Sequence, residues 1–541
     1  MLQPAQPWPR TTPVGTRLRG TPDFPTLLGT VLTRSVAVAL CTSVALACGG
    51  CLRDVDWTRI PNVPTNVITW PAPAGETPSA DFTLAVDGKS VFVYEARVRA
   101  EILQQPGLWT HKPDCSGERA SFAICDIAGP VTLTVRPARP FRTATILPAR
   151  AGVVPQVENG CIRFRLEQPQ HLSLLLDGSD ESPLHIFVGS PEIDVPSPAD
   201  PNVVYFGPGV HELHQLHVRS GQTVYLAGGA VVKAALAPGE KGTFSEQWKV
   251  VFYGGAAFNV QNADHVRICG RGVLDGSLLP HPARQLIHVT DSHDVRIEGI
   301  VLRDSANWNL MIQRSANVRV DDLRIVSGRL NSDGINSVNS RDVRISRCFV
   351  RNHDDSIVVK TTEPGAPAED IQAEDCTIWN DWGYALGVTY ETRAPVRNVR
   401  FHRCNVIYAR HWCLGIRVSD SATVSDIAFD DIQIADLATA SRQGGARSAL
   451  TTEPKLVSMS IAKDCWGKDA EAGHIHGISI SNVTVDGARL PSSELSGLDT
   501  DHAIEDVVFR NIHLRGEPAA TNAAQLDLQC NAHVRGIRIE P

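Results

Sequence analysis

The 541-residue sequence lacks a basic excess, a metal-binding cysteine pattern and an apolar run long enough to cross a bilayer. Its formal net charge is −8 at pH 7. Proteins that bind a phosphate backbone usually carry a basic face, so we do not expect nucleic-acid binding as the main activity. The acidic balance also makes a strongly polyanionic substrate less natural. Beyond residue 51 no cysteine stands in a CxxC or Cys/His pattern, and we predict no metal and no cofactor.

The longest apolar run is confined to the N-terminus, from Ser35 to Ala47. It has the length of a signal-peptide hydrophobic region and is too short to span a bilayer. The stretch from Ala45 to Cys48 resembles a bacterial lipobox, which would place a lipid anchor on Cys48. The alternative is an ordinary signal cleaved near Ala47. We therefore predict that residues 1–51 are an export leader and that the protein is periplasmic, anchored to the outer membrane or extracellular.

The second half of the sequence contains a repeat. From about residue 260, a turn followed by an apolar–polar–apolar strand recurs without an intervening helix. The first apolar residues of successive strands, which we call anchors, are 23 to 28 positions apart and include Val295, Val318, Val343, Ile371, Val399 and Ile427. Strands of this period stack into coils, and the LxxLxL pattern of leucine-rich repeats is absent. The repeat predicts an all-β fold with a right-handed parallel β-helix.

The phase of the repeat also predicts which side chains face the interior. Apolar residues stand five positions after the anchors and should form one internal ladder, comprising Ile300, Leu323, Cys348, Cys376, Cys404, Ile432, Val483 and Ile512. We interpret the three cysteines of this ladder as buried core thiols rather than catalytic nucleophiles.

Changes in composition divide the chain into segments. After the leader we predict a linker over 52–78, an antiparallel β-sandwich over 79–190, a proline-rich linker over 191–201 and the β-helix over 202–541, with a loop at about 438–475 where the period breaks. The sandwich follows from short alternating strands separated by Gly, Pro and Asp. Cys115 and Cys125, both in this segment, could pair in an oxidising compartment.

Three carboxylates are the candidate catalytic groups. Asp333 lies 15 residues after Val318, and Asp354 and Asp355 lie 11 and 12 residues after Val343. These similar phases on adjacent coils should bring the carboxylates to one patch. Like charges this close raise at least one pKa, and glycoside hydrolysis needs a protonated acid beside an ionised base. An isolated Asp-Gly or Asp-Asp pair is more often a turn or a cap, but the matching phase favours a site.

Other side chains should border the same patch by their phase or proximity. They are Trp308, Asn309, Lys360, Tyr384, Glu391, His411 and Trp412. Aromatic rings beside carboxylates suit sugar binding, because sugar C–H faces stack on them while hydroxyls bond the polar groups. Taken singly, Trp308 and Trp412 are more often core residues than ligands. Lys360 could orient substrate, steady Asp354 or end a solvated strand.

The motifs around the aspartates resemble those of the polygalacturonases, glycoside hydrolase family 28. Asn331 to Gly334 is similar to the family's Asn-Thr-Asp motif, and His353 to Lys360 is similar to its Asp-Asp motif. The resemblance covers roughly residues 200–440. It implies that Asp354 is the general acid and that the other two aspartates position and activate water. It also implies inversion of the sugar configuration, with carboxyl groups roughly 6.5–9.5 Å apart.

Two departures from that family move the expected substrate away from pectin. Tyr384 stands where the family has the His of a Gly-His-Gly motif, and Ser419 stands where it has the Lys of an Arg-Ile-Lys motif, after Arg417. A hydroxyl in place of an ammonium weakens the case for a uronate. The segment 376–411 resembles the dextranases and isopullulanases of family 49, which are inverting β-helix enzymes with an N-terminal β-sandwich. The resemblance therefore implies a neutral, dextranase-like α-glycan.

We thus predict an exported, monomeric, inverting O-glycoside hydrolase that binds an α-linked poly- or oligosaccharide and no nucleic acid. Its predicted catalytic residues are Asp333, Asp354 and Asp355, and its predicted substrate-binding residues are Asn331, Trp308, Asn309, Lys360, Tyr384, Glu391, His411, Trp412 and Arg417. Three alternatives stay open. They are a polygalacturonase-type pectin hydrolase, a β-helix polysaccharide lyase with a Lys or Arg base and a Ca²⁺ site, and a non-catalytic carbohydrate-binding β-helix.

Overall fold

The computed structural model describes residues 66–98, 102–105, 108–111, 118–246, 250–437 and 453–541. The predicted leader with its Cys48 anchor lies outside these residues, as does Cys115 of the suggested cysteine pair, whereas Cys125 is buried. In the described ranges the only helical element is the 3₁₀ turn Ala149–Ala151, and no helix there is long and apolar enough to cross a membrane.

Two β-sheets form the N-terminal part of the described chain. One sheet contains the strands Val67–Ile68, Val93–Arg97, Arg119–Ile127, Ala144–Leu147, Gln170–Leu176 and Ser179–Gly189, and the other contains Phe82–Val86, Lys89–Val91, Val131–Pro137, Gln156–Glu158 and Cys161–Leu166. A separate hairpin pairs Ile102–Gln105 with Leu108–His111. Pairing is antiparallel except between Arg119–Ile127 and Ser179–Gly189, which run parallel. Alternating burial along the strands gives the two sheets one shared apolar core.

The rest of the chain winds into a parallel β-helix, in which most coils contribute two strands to one wall and one strand to the other. The first wall contains Val203–Phe206, Gly209–Leu213, Thr223–Leu226, Ala230–Ala234, Asp264–Gly270, Val273–Asp275, His293–Glu298, Val301–Arg303, Ala316–Asp321, Arg324–Val326, Arg341–Ser346, Phe349–Asn352, Ala368–Glu374, Thr377–Asn380, Val396–His402, Asn405–Ala409, Thr423–Ile434, His474–Val485, Ile504–Leu514, Val534–Arg535 and Arg538–Glu540. We call this 21-stranded sheet the structural wall.

The second wall is an 11-stranded parallel sheet, which we call the cleft wall. Its strands are Leu216–Val218, Ala256–Gln261, Gln285–Thr290, Leu310–Gln313, Ile335–Val338, Ile357–Thr361, Tyr384–Thr392, Trp412–Val418, Lys455–Ile461, Ser493–Ser496 and Leu528–Cys530. A small hairpin, Thr243–Ser245 with Val250–Phe252, interrupts the early coils. The predicted fold class, a right-handed parallel β-helix preceded by an antiparallel β-sandwich, is confirmed.

The predicted strand register is also confirmed. Each anchor pairs with the next one along the series Val295, Val318, Val343, Ile371, Val399 and Ile427. The residue before each of these anchors is an Asp or Asn with a left-handed backbone, namely Asp294, Asn317, Asp342, Asp370, Asn398 and Asp426. Asp and Asn tolerate this conformation better than other side chains, which explains why they recur there. All eight ladder residues are buried, and the three ladder cysteines are free thiols.

The six-stranded sheet is covered on both of its faces. Its face away from the sandwich core packs Phe122 and Phe187 against Phe349 and Trp379 of the structural wall. Trp379 is fully buried at this contact. The sandwich therefore packs on the flank of the β-helix opposite the cleft-wall strands, through aromatic side chains that bury a large apolar area.

The predicted loop at about 438–475 differs in part from the observed structure. Residues 438–452 lie outside the described ranges, but Lys455–Ile461 is a strand of the cleft wall that pairs with Trp412–Val418 and Ser493–Ser496. The strand has a buried apolar face of its own, including Leu456 and Val457. The insertion moved this strand away from the regular spacing, which is why the period missed it.

Candidate functional site

The three candidate aspartates lie on adjacent turns that lead into the cleft wall. Asp333 comes two residues before Ile335–Val338, and Asp354 and Asp355 come directly before Ile357–Thr361. The two strands pair in parallel, so their turns are stacked. One side-chain oxygen from each aspartate lies within 4.8 Å of the other two. The structure thus brings together the three carboxylates that the coil register placed on one patch.

Buried asparagine amides hold the turns that carry the aspartates. The Nδ2 of Asn309 donates to the main-chain carbonyl of Asp333 at 3.0 Å. Asn352 repeats this arrangement one coil later, donating to the carbonyls of Asp354 at 2.9 Å and Asp355 at 2.8 Å. Asn309 was predicted to bind substrate, but it is fully buried and its amide is occupied. It therefore supports the backbone of Asp333 instead of facing a ligand.

Gly383 allows the next coil to approach the Asp354–Asp355 turn closely. Its φ is +79°, and a Cβ at this position would lie 2.8 Å from the carbonyl carbon of Asp354 and from the amide nitrogen of Asp355. Both the backbone conformation and the contact require glycine. A larger residue here would displace two of the three candidate catalytic side chains.

Asp355 makes the contacts of an ionised carboxylate. It is 1 % exposed, and its Oδ2 accepts hydrogen bonds from the Lys360 ammonium at 3.0 Å and the Thr389 hydroxyl at 2.7 Å. Its Oδ1 accepts one from the amide of Tyr384 at 3.1 Å. These three donors orient the carboxylate, and one of them carries a full positive charge.

Lys360 is the cation at the centre of the cluster. Its Nζ lies 3.0 Å from Asp355, 3.1 Å from Glu391 and 3.9 Å from Asp333. Burial by itself would lower the pKa of the ammonium, but the surrounding carboxylates, Glu391 first, raise the pKa above its ordinary value. The lysine is therefore a fixed positive charge, not a proton donor.

The pKa values of the other two aspartates are raised. Burial, followed by the charge of Asp355, raises the pKa of Asp354 to about 7, although Lys360 opposes the shift. Burial, followed by the charge of Asp354, raises the pKa of Asp333 well above its ordinary value. The cluster therefore keeps a proton near neutral pH, and Asp354 is the more exposed of the two carboxyl groups that can hold it.

The spacing of the carboxylates differs from the expected one. Inverting glycosidases usually hold their two carboxyl groups roughly 6.5–9.5 Å apart to leave room for water. Here the contacting oxygens of Asp333, Asp354 and Asp355 lie within 4.8 Å of one another. The expectation of a wide separation was wrong for these atoms, because both turns enter the cleft wall at the same level.

A β-bulge in the cleft wall turns three side chains towards this cluster. Val359 pairs with Val388 and Thr361 pairs with Thr392, so the later strand has two extra residues between these pairs. The bulged segment 389–391 includes Tyr390 at φ +55°. It supplies the hydroxyl that bonds Asp355, the carboxylate that bonds Lys360 and an aromatic ring 5.5 Å from the Lys360 ammonium. Bulges beside active sites commonly re-aim side chains in this way.

Aromatic side chains border the carboxylates on both sides. The ring of Trp308 lies 5.5 Å from the Lys360 ammonium. On the other side, Tyr384 is almost fully buried beneath Trp412, with ring centroids 4.4 Å apart, and burial raises the pKa of its phenol to about 12. A Cβ on Gly415 would collide with the Tyr384 ring. Trp308 and Trp412 are only partly buried, so they are the rings with surface left for a sugar.

His411 lies beside these rings as a neutral side chain. Burial lowers its pKa to about 4, and its ring centroid is 4.0 Å from that of Trp382. Its Nε2 has no hydrogen-bond partner among the residues that the structure describes. Asn331, half-buried in a left-handed turn, lies two residues before Asp333. Contact of these two residues with substrate stays a prediction.

Arg417 reaches the same region from the next coil, but another residue occupies it. Its guanidinium lies 5.4 Å from the ring centroid of Tyr390, and two of its N–H groups donate to Asp464. Sequence reasoning missed Asp464, Thr389 and Tyr390. The nine-residue strand Tyr384–Thr392, long for this wall, was a signal for the bulge, whereas Asp464 lies in the aperiodic segment and had none.

Comparison with known proteins supports a glycosidase. Residues 208–441 match the model of glycosyl hydrolases family 28, which confirms the predicted O-glycoside hydrolase class and the resemblance to that family. No curated protein matches the sequence.

Three solved structures illustrate the likeness in three dimensions. An exopolygalacturonase from Thermotoga maritima is 16 % identical over 62 % of this chain and 83 % of that chain, with a TM-score of 0.45. Dex49A from Penicillium minioluteum is 12 % identical over 88 % and 93 %, with a TM-score of 0.47. An endo-xylogalacturonan hydrolase from Aspergillus tubingensis is 15 % identical over 62 % and 91 %, with a TM-score of 0.44.

Proposed function

We propose that this glycoside hydrolase inverts configuration and cleaves an uncharged α-linked poly- or oligosaccharide. Asp354 is the general acid, and Asp333 and Asp355 position and activate the water. The observation that carries the proposal is the carboxylate cluster, in which a protonated Asp354 lies beside a fully hydrogen-bonded Asp355. Glycosidic bond cleavage requires this combination of acid and base.

The division of roles follows from exposure and from hydrogen bonding. Asp354 is the least buried of the three carboxyl groups and holds a proton near neutral pH, so it can protonate the leaving oxygen of a bound sugar. Asp355 keeps a fixed orientation through Lys360 and Thr389. Water held beside Asp355 and Asp333 can lose its proton to them as it attacks the anomeric carbon.

The charges of the site support an uncharged substrate. Four carboxylates (Asp333, Asp354, Asp355 and Glu391) surround one ammonium, Lys360, which is already shared among them. A substrate carboxylate entering this patch would lose hydration and meet a net negative field. Neutral hydroxyls, in contrast, can bond these carboxylates while the sugar faces stack on the neighbouring tryptophans.

The test is incubation with a panel of α-glucans, galacturonan and rhamnogalacturonan, with NMR of the first product. We expect reducing ends released from an α-glucan in the β configuration. An initial α product would contradict inversion, which the short carboxylate spacing makes the decisive measurement. Cleavage of galacturonan without any cleavage of α-glucans would contradict the neutral substrate and support a pectin hydrolase. A product that absorbs near 235 nm would indicate a lyase.

A further inference from the structure

The guanidinium of Arg417 is filled by a carboxylate of the protein itself. Its Nε and Nη2 donate to Oδ2 of Asp464 at 2.9 and 2.7 Å, and its Nη1 lies 3.4 Å from the hydroxyl of Ser460. Planar guanidinium groups bind ligand carboxylates through the same N–H groups. Arg417 therefore has the chemistry of an anion-binding residue, and Asp464 occupies it.

This pair borders the carboxylate cluster. The Arg417 guanidinium lies 5.4 Å from the centroid of the Tyr390 ring, and the same ring lies 5.5 Å from the ammonium of Lys360. One aromatic ring thus separates the Arg417–Asp464 pair from the lysine that holds Asp355. The side chains of the pair are 25 % and 18 % exposed, so solvent and a bound sugar can reach them.

Asp464 is held firmly in this position. Its Oδ2 also accepts the hydroxyl of Ser419 at 3.0 Å, and its Oδ1 accepts the amide of Trp466 at 2.9 Å. Both carboxylate oxygens are therefore engaged, and the ring of Trp466 in turn packs at 6.0 Å on Tyr390. A ligand anion would have to displace an internal carboxylate that is already in place and needs no ordering.

We propose that Asp464 is a specificity-determining residue, a built-in carboxylate that blocks Arg417 and thereby makes the cleft select uncharged sugars over uronic acids. The inference rests on the proposed function at this site. A uronate would either compete with Asp464 for Arg417 or lie beside it and be repelled. A neutral sugar meets neither penalty, since its hydroxyls can bond both members of the pair.

A nearby ion pair provides a matched control. Asp469 accepts Nε of Arg393 at 2.8 Å and the hydroxyl of Ser421 at 2.6 Å, so it makes the same kinds of bond from the same segment. Its partner has no aromatic contact with the cleft cluster among the described residues. If Asp464 merely tied the segment down, Asp469→Asn and Asp464→Asn would have the same consequences.

The experiment measures binding of a galacturonate trisaccharide and of a neutral α-linked glucose trisaccharide by calorimetry, and the ratio of turnover on the two parent polymers. The proteins are wild type, Asp464→Asn, Asp464→Ala and Asp469→Asn. Because a charged hydrogen bond becomes available to the ligand, we expect both Asp464 variants to bind the uronate roughly 10-fold more tightly relative to the neutral sugar. The Asp469 variant should keep the wild-type ratio.

An unchanged ratio in both Asp464 variants, with melting temperatures near that of wild type, would overturn the proposal. An equal change in Asp469→Asn would overturn it as well, because the effect would then belong to the segment and not to Arg417. A gain in uronate binding supports the assignment of Asp464 even if wild type cleaves no neutral α-glycan, a result that would overturn only the proposed function.

Discussion

The two walls of the β-helix use the same repeat for different purposes. In the structural wall the register passes without a shift from Val295 to Ile427, and its ion pairs, such as Arg403–Asp375, are exposed. The cleft wall buries Lys360 among carboxylates and contains a two-residue bulge. Buried charge and irregular backbone destabilise a fold, so they are concentrated where they serve chemistry. The difference indicates that one wall supplies the stability on which the other depends.

The largest effect expected from breaking this comparison is on activity, at Asp354. Replacing it by Asn removes the proton donor and should reduce kcat about 10²–10⁴-fold while changing stability little, since the side chain accepts one local amide. Asp426→Asn, an exposed left-handed position on the structural wall, is the control and should retain full activity. Turnover by Asp354→Asn at the wild-type rate would refute the proposed acid. Initial rates on the best substrate of the panel measure both variants.

Removing the buried ammonium should damage stability and activity together. Lys360→Met leaves Asp355 and Glu391 without their cation, and breaking a buried pair in this way costs about 3–5 kcal/mol of unfolding free energy. Lys455→Met, on the same wall but paired with Glu494 near solvent, should cost less than about 1 kcal/mol. Urea denaturation followed by fluorescence compares the two. Equal losses would mean that the cleft cluster is no more tightly coupled than a surface pair.

The structural wall should respond in the opposite way, losing stability but not catalysis. Ile345→Ala removes a side chain that is 1 % exposed, and such truncations cost about 2–5 kcal/mol. Its kcat at a temperature where the protein remains folded should equal that of wild type. Arg403→Ala, on the solvent side of the same wall, should cost under about 1 kcal/mol. A large fall in kcat for Ile345→Ala would show that the walls are not separable.

The pH dependence should reflect the raised pKa of Asp354. A general acid works in its protonated form, so activity should fall with rising pH above about 7, approaching tenfold per pH unit. The same shift affects folding. The folded-state pKa lies above the unfolded value of 3.8, so this contribution to stability is complete below 3.8 and is lost as pH rises through about 7. Asp354→Asn should flatten stability between these values, and thermal unfolding across pH measures it. An unchanged slope would contradict the assignment.

The sequence predicted the structural wall well and the cleft wall in part. Cys348, Cys376 and Cys404 were placed in the core from phase alone, because in-register stacking repeats one local rule on every coil. The same rule brought Asp333 to Asp354. It failed for Asn309, whose phase lies near the patch but whose amide is used by the backbone of the turn. Phase gives position along a coil and does not say whether a side chain faces inward or outward at a turn.

By itself the sequence determined the coil, its register, its core ladder and the convergence of three aspartates, because each follows from period-two alternation repeated at a nearly constant interval. Only the tertiary structure decided how these carboxylates behave. The burial that raises the pKa of Asp354, the bulge that brings Thr389 to Asp355 and the reach of Asp464 to Arg417 all depend on contacts between distant segments. Desolvation and charge pairing act through space, so no local pattern specifies them.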